Sequence, residues 1–339
     1  MNPNLFIGFS LVLLAGIMNG SFAVPMKYSK KWSWENIWLA WSFFALVLFP
    51  VLLTLGTVPR LAHLYSASGI GILGLVVSFG IGWGISQVLF GLGVVRVGVS
   101  VGFAIIVGLA AAVGSLVPLL VFQPGEVFSL SGLRVIGGVV MIVVGVILCA
   151  WAGSKKEKRT HPSPRFDVKS RETQTGIPIG IGGSMINLGF VFGAPILNQA
   201  RQMQVPTLHQ ANALWLPLLV AGFGATSVYC ARLLRMHHTW GNFFKTELRS
   251  YWMLALLMGV LWLGSVLIYG IAAGRLGKWG PIAGWPVFMS ASIITANVWG
   301  WVTGEWDNSP AAARRLMAIG VVVLVVSIFV LGMAGQTGQ

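Results

Sequence analysis

The chain has 339 residues, 56% of them hydrophobic and 9% charged, with a mean hydropathy of +0.83 and a formal net charge of +14. Soluble domains carry about 25% charged residues, so the composition excludes that class, and the alternating segments of about ten residues that mark a transmembrane barrel are absent. The lysines and arginines lie between apolar runs and not in a basic domain large enough to fold, which argues against nucleic acid and for the headgroups of a lipid bilayer as their partner.

Apolar stretches near 20 residues recur along the chain and predict an all-α polytopic membrane protein with ten transmembrane helices. The first, Leu5–Pro25, lacks a basic leader and a clear cleavage site, so it reads as a retained helix and not a signal peptide. Gly16 and Gly20 within it would permit close packing. A short loop, KYSKKWSWEN, follows with three lysines and the pair Trp32 and Trp34, expected at the membrane interface. The next four spans are Ile37–Val58, Gly69–Val95, Gly98–Phe122 and Leu133–Ala152.

The longest polar run, Gly153–Gly176, comes next, with seven of the chain's 22 lysines and arginines beside Pro162 and Pro164. The remaining spans are Ile177–Ala200, Ala211–Leu234, Tyr251–Ala273, Pro281–Gly304 and Leu316–Gly335. The expected organisation is therefore a five-helix unit over 1–152, a basic linker over 153–176 and a second five-helix unit over 177–339. With both termini outside, 17 of the 22 basic residues fall in inward loops, the orientation favoured by the positive-inside rule. Cys149 and Cys230 lie in or at the edge of apolar spans without CxxC spacing, which suits small buried hydrophobes and neither a zinc site nor a disulfide framework.

The two units echo each other. A shift of 179 positions pairs Trp83 with Trp262, Phe90 with Tyr269, Gly91 with Gly270, Arg96 with Arg275, Gly98 with Gly277, and Gly125-Glu126 with Gly304-Glu305. Phe22-Ala-Val-Pro25 matches Phe192-Gly-Ala-Pro195 more loosely. An odd number of spans per unit gives the second unit opposite polarity. The result is an inverted repeat of the kind secondary transporters use, with a substrate site where the repeats meet.

Three segments carry a resemblance to a known family: KYSKKWSWENIW at Lys27–Trp38, the run from Phe79 to Leu120 around Trp83-Gly84 and Gly91-Leu92, and Glu305-Trp306-Asp307-Asn308 before the last helix. Each resembles the corresponding segment of the bacterial L-rhamnose–proton symporter family, within the drug/metabolite transporter superfamily. The resemblance implies a ten-helix, five-plus-five fold and sugar uptake coupled to protons across a bacterial inner membrane, by alternating access. A facilitator or exporter of another small polar metabolite is the alternative within transport.

Sugar recognition uses amides and hydroxyls to read hydroxyl groups and aromatic faces to cover C–H surfaces. Trp83, Gln87 and Phe90 recur at i, i+4 and i+7 and so share a helix face. A glutamine amide in mid-membrane either lines a wet cavity or bonds to a neighbouring helix. In the sixth span Asn187, Phe190, Ala194 and Asn198 are expected on one face, with Gln199 adjacent. Asn19 in the first span, Asn212 and Trp215 in the seventh, and Trp262 and Tyr269 in the eighth complete the candidates, with Trp285 and Ser292 from the ninth. Trp252, on the eighth-span stripe, suits a headgroup anchor.

Proton coupling needs a titratable group that can be alternately occluded and wetted. None of the eight acidic residues falls in mid-span, which leaves Glu126 and Glu305, related by the repeat, and His209 near the start of the seventh span as candidates. Neither a metal nor a cofactor is called for: His237-His238 has no ligand partner at suitable spacing, and Gly80-Ile-Gly82-Trp-Gly84 lies in an apolar span with no preceding strand. No nucleophile–base or acid pair suggests an enzyme, and no segment is large enough for the soluble output domain of a sensor.

Overall fold

The structure is a computed structural model describing residues 3–96, 99–157, 171–245, 247 and 249–334. Among these residues it is built of helices with no strand. Hydrocarbon offers no partner to backbone N–H and C=O groups, and helices satisfy them within each segment.

Nine helical stretches among the described residues are long and apolar enough to cross a membrane: Asn4–Tyr28, Trp34–Thr57, Ile70–Leu89, Leu130–Lys156, Pro178–Gln202, Asn212–Met236, Arg249–Arg275, Gly277–Val302 and Ala311–Ala334. A shorter apolar stretch, Ile106–Phe122, belongs to a helix running over Val99–Phe122. The α-helices are α1 (Pro3–Ser21), α2 (Trp34–Phe43), α3 (Phe49–Thr57), α4 (Leu61–Ser68), α5 (Ile70–Arg96), α6 (Val99–Phe122) and α7 (Leu130–Glu157), then α8 (Arg171–Phe192), α9 (Ala194–Gln202), α10 (Asn212–Met236), α11 (Arg249–Arg275), α12 (Trp285–Val302) and α13 (Ala311–Ala334).

Several boundaries differ from the sequence expectation for identifiable reasons. A π turn over Phe44–Leu48 joins α2 to α3, and another over Gly280–Gly284 leads into α12; each widens the helix locally without breaking its hydrogen-bonded course. The short helix α4 lies in what reads as a loop. The sixth span is two helices, because the chain turns at Gly193 and restarts with Pro195 in the first turn of α9, a position where proline's missing N–H costs nothing. Helix α7 runs on to Glu157, so the basic run begins as helix; its residues 158–170 lie outside the described residues.

Helix α1 packs on α11 and α12; α8 packs on α5 and α6; α5 also packs on α10, α7 on α6 and α13, and α12 on α13. Gly16 and Gly20 do what their spacing suggested: a Cβ on either would stand 2.4 Å from Ala291 Cβ or Ser292 O of α12, so only glycine permits the approach. The outer surface is apolar, with Leu55, Val228 and Phe329 exposed. The fully buried large side chains include Trp83, Trp215 and Tyr269.

Candidate functional site

Helix α2 presents Trp34, Trp38 and Trp41 at i, i+4 and i+7, and the three indoles form one continuous column. Trp34 stacks on Trp38 at 5.1 Å between ring centroids, Trp38 meets Trp41 at 4.6 Å, and Trp41 meets Trp262 edge-on at 5.8 Å. Trp262, halfway along α11, stacks on Trp83, halfway along α5, at 5.4 Å with 27° between the rings. Packed aromatic rings thus run from one end of the bundle to its centre.

Beyond the Trp83–Trp262 stack, toward the opposite end, a second aromatic group surrounds an amide. Asn187 is fully buried on α8; its Nδ2 donates to Gly114 O at 2.7 Å and Pro281 O at 3.2 Å, and its Oδ1 accepts the Tyr269 hydroxyl at 2.7 Å. Phe190 stacks on Trp215 at 5.0 Å, and Tyr269 touches Phe190, Trp285 and Phe288. Trp285 Nε1 donates to Ala110 O at 3.0 Å.

Three buried indole N–H groups here have no hydrogen-bond partner: Trp38 and Trp41 in the column and Trp215 in the second group. A buried donor left unsatisfied costs about 1–3 kcal/mol. In an aromatic path such donors are suited to hydroxyl groups of a ligand that enters it.

Of the residues singled out from the sequence, Trp83, Asn187, Trp215, Trp262, Tyr269 and Trp285 gather in these two groups. Asn19 Nδ2 donates to Ser292 Oγ at 3.0 Å, joining α1 to α12 at their close crossing. Gln87 is half-buried on α5; Phe90 is on the same helix, with its side chain outside the described residues. Asn198 and Gln199 are on α9, past the turn at Gly193, and Asn198 is exposed there, whereas Asn187 is buried on α8. Asn212 is buried but turned to α3, its Nδ2 donating to Thr57 Oγ1 at 3.0 Å.

The coupling candidates lie at the ends. Glu126 pairs with Lys278 at 2.7 Å, and Glu305 pairs with Lys27, whose Nζ also donates to Thr303 Oγ1 at 2.9 Å. The two pairs sit at opposite ends of the bundle. The Lys278 ammonium and the Ser129 hydroxyl beside Glu126 hold its carboxyl below its ordinary value. His209 is half-buried in the turn before α10.

Sequence reasoning missed three features. Trp38 and Trp41 counted there only as apolar residues, although with Trp34 their 4-then-3 spacing was a visible stripe. Trp32 is buried and not an interfacial anchor: its Nε1 donates to Asn242 O at 3.2 Å, and its ring is packed by Phe243, Tyr251 and Trp252. Glu35, which reads as a helix-end acid, is 3% exposed, accepts the Thr239 hydroxyl at 2.8 Å and lies 3.0 Å from His237 Nδ1. Among the described residues no group of three His, Cys, Asp or Glu side chains could hold a metal ion.

A bundle of apolar, lipid-facing helices around a buried aromatic and amide centre is a multi-pass membrane protein built like a transporter of small polar molecules. The sequence profile of the L-rhamnose-proton symport protein (RhaT) family matches residues 1–336, and the chain belongs to that family. It is similar to the L-rhamnose-proton symporter of Mannheimia succiniciproducens, with 25% identity over 98% of this chain and 100% of the relative. It is also similar to those of Escherichia coli strain SMS-3-5 and Pectobacterium atrosepticum, at 23% and 22% identity over 98% of this chain and 99% of each relative. The family is one of transporters, and its members are multi-pass proteins of the inner membrane.

Proposed function

We propose that this protein imports L-rhamnose together with protons, by alternating access. The observation that carries the sugar reading is the indole column of α2 with its unsatisfied Trp38 and Trp41 donors, ending on the Trp83–Trp262 stack. A deoxysugar has C–H faces and a methyl group for the rings and hydroxyls for the free N–H groups. The amide side of the path, Asn187 with Tyr269, offers hydrogen-bonding groups that a sugar hydroxyl can exchange into once the helices part. Gln87 lies one turn beyond Trp83 on α5, and Asn19 with Ser292 joins α1 to α12.

The architecture we infer is two inverted five-helix units, 1–152 and 177–339, joined by the basic linker. Its support is a reciprocal packing pattern: α1 against α11 and α12 has its counterpart in α8 against α5 and α6, and α6 with α7 in α12 with α13. Trp83 and Trp262, paired by the 179-residue shift, meet face to face, as residues beside a two-fold axis would. Among the described residues, the end carrying Lys27, His237 and Glu305 holds most of the basic ones, and we assign it to the cytoplasm, which puts both termini outside. The Lys27–Glu305 and Lys278–Glu126 pairs then act as inner and outer latches that break in alternation.

Proteoliposomes containing the purified protein test this. Labelled L-rhamnose should accumulate under an inward proton gradient, with protons entering alongside it. Uptake indifferent to the gradient would make the protein a facilitator, and indifference to the sugar as well would overturn the assignment.

A further inference from the structure

Resting on that assignment, we propose that Glu35 and His237 together form the proton-binding site of transport. Glu35 is the one buried carboxylate among the described residues, whereas Glu126 and Glu305 are partly exposed and each salt-bridged to a lysine. Each of those two carboxylates already has a lysine ammonium as its partner at the water-exposed end of a helix. An imidazole is the side chain that ordinarily titrates between about pH 5 and 8.

The surroundings suit a site that trades one proton. Glu35 begins α2; His237 and Thr239 lie in the turn after α10. Thr239 Oγ1 donates to Glu35 Oε1 at 2.8 Å, and His237 Nδ1 lies 3.0 Å from the same oxygen. The His237 side chain is 52% exposed and that of Glu35 5%, so the imidazole meets water while the carboxylate is shielded. The buried Cys230 thiol is on α10, the helix that ends at His237; Lys30 and Lys31 before α2, Lys245 and Glu247 on the connector, and Arg249 at the start of α11 are exposed.

The Nδ1–H of His237 faces the Glu35 carboxylate, so a proton from water adds at the ring's other nitrogen, Nε2, and the pair passes from a net charge of −1 to neutral. A bare buried carboxylate resists any movement that takes α2 deeper into hydrocarbon, and a neutral pair does not. Because Trp34, Trp38 and Trp41 are on the same helix, sugar in the column and a proton on the pair bias the same element. Each therefore strengthens the binding of the other.

The test is L-rhamnose binding to the full-length protein, read by intrinsic tryptophan fluorescence between about pH 5 and 8. Wild-type affinity should rise about tenfold as the pH falls. In Glu35→Gln no charge remains to be neutralised, and affinity should stay at the acid value throughout. In His237→Gln the carboxylate stays bare, and affinity should stay at the alkaline value, about tenfold weaker. A structural defect would instead weaken both variants alike, and that result overturns the proposal. Wild-type-like pH dependence in either variant also overturns it, as does its disappearance in Glu126→Gln alone. If one variant fails to fold, the other decides. If wild-type protein binds no L-rhamnose, the assignment of substrate fails first, and if it binds the sugar with no pH dependence only the proton site does.

Discussion

Trp83 and Trp262 stack at 5.4 Å in the middle of α5 and α11, and the same two residues are matched by the internal shift of 179 positions. Trp41 adds its edge to Trp262, and the ring of Trp83 lies where a Cβ on Gly222 of α10 would come within 2.8 Å of it. The stack is thus held by four helices.

Trp41→Phe separates the roles of ring and donor. The phenyl ring keeps an aromatic contact with Trp262, while the indole N–H, which has no protein partner, is lost. Removing an unsatisfied buried donor relieves a desolvation cost. The midpoint of thermal unfolding in detergent should therefore change little, whereas L-rhamnose affinity should fall about tenfold, the equivalent of one hydrogen bond of about 1.4 kcal/mol. Equal affinity in the two proteins would remove Trp41 from the site. Trp262→Ala should lower both quantities, because it deletes a buried ring.

Asn187 and Tyr269 should behave as one unit in stability measurements. Asn187→Leu leaves the Tyr269 hydroxyl and the Gly114 carbonyl buried without their partner, at a cost of about 1–3 kcal/mol each. Tyr269→Phe leaves only the Asn187 oxygen short of one bond and should cost less. The double variant Asn187→Leu with Tyr269→Phe should be less destabilised than the sum of the two, by at least about 0.5 kcal/mol. Strict additivity in chemical unfolding would mean that the bond contributes nothing.

The helical spans and their order were legible because a hydrocarbon environment demands apolar stretches of a fixed length, and that demand is written into composition. Where the membrane demand stops, so did the legibility. The turn at Gly193 and the π turns at Phe44–Leu48 and Gly280–Gly284 are decided by packing between helices, which no local pattern reports. Trp83, Trp262, Asn187 and Tyr269 stood out as polar or repeat-related residues in apolar runs. Glu35 did not, because its burial comes from a turn 202 residues later in the chain. Asn198 is exposed on α9, past the turn at Gly193, and a spacing counted from Asn187 does not report that turn.

The Glu126–Lys278 pair makes a prediction about pH. Lys278 and Ser129 lower the Glu126 pKa below its ordinary 4.5. A carboxylate whose folded-state pKa is depressed contributes stability that is present above its unfolded value and is lost as pH falls through the folded one. The difference in unfolding midpoint between wild type and Glu126→Gln should hold constant from about pH 7 to 5 and shrink only below about 4.5. It should also diminish as salt is added, since both partners are partly exposed. A difference that disappears between pH 7 and 5 would show that another group is being measured.

The crossing of α5 and α10 sets the sharpest steric test. A Cβ on Gly80 would lie 2.2 Å from Leu218 O, and one on Gly84 would lie 2.3 Å from Gly222 O. Both obstacles are backbone atoms, so no rotamer change can relieve them. Gly84→Ala must push the two helices apart, which loosens the packing beneath Trp83 and should cost about 1–3 kcal/mol. Gly224, two residues beyond Gly222 on α10, has nothing within 4 Å of its own hypothetical Cβ. Gly224→Ala should therefore be neutral or slightly stabilising, since alanine is the better helix former. Thermal unfolding of the two variants beside wild type decides the matter: a Gly84→Ala protein as stable as Gly224→Ala would mean that α5 and α10 do not meet at this distance.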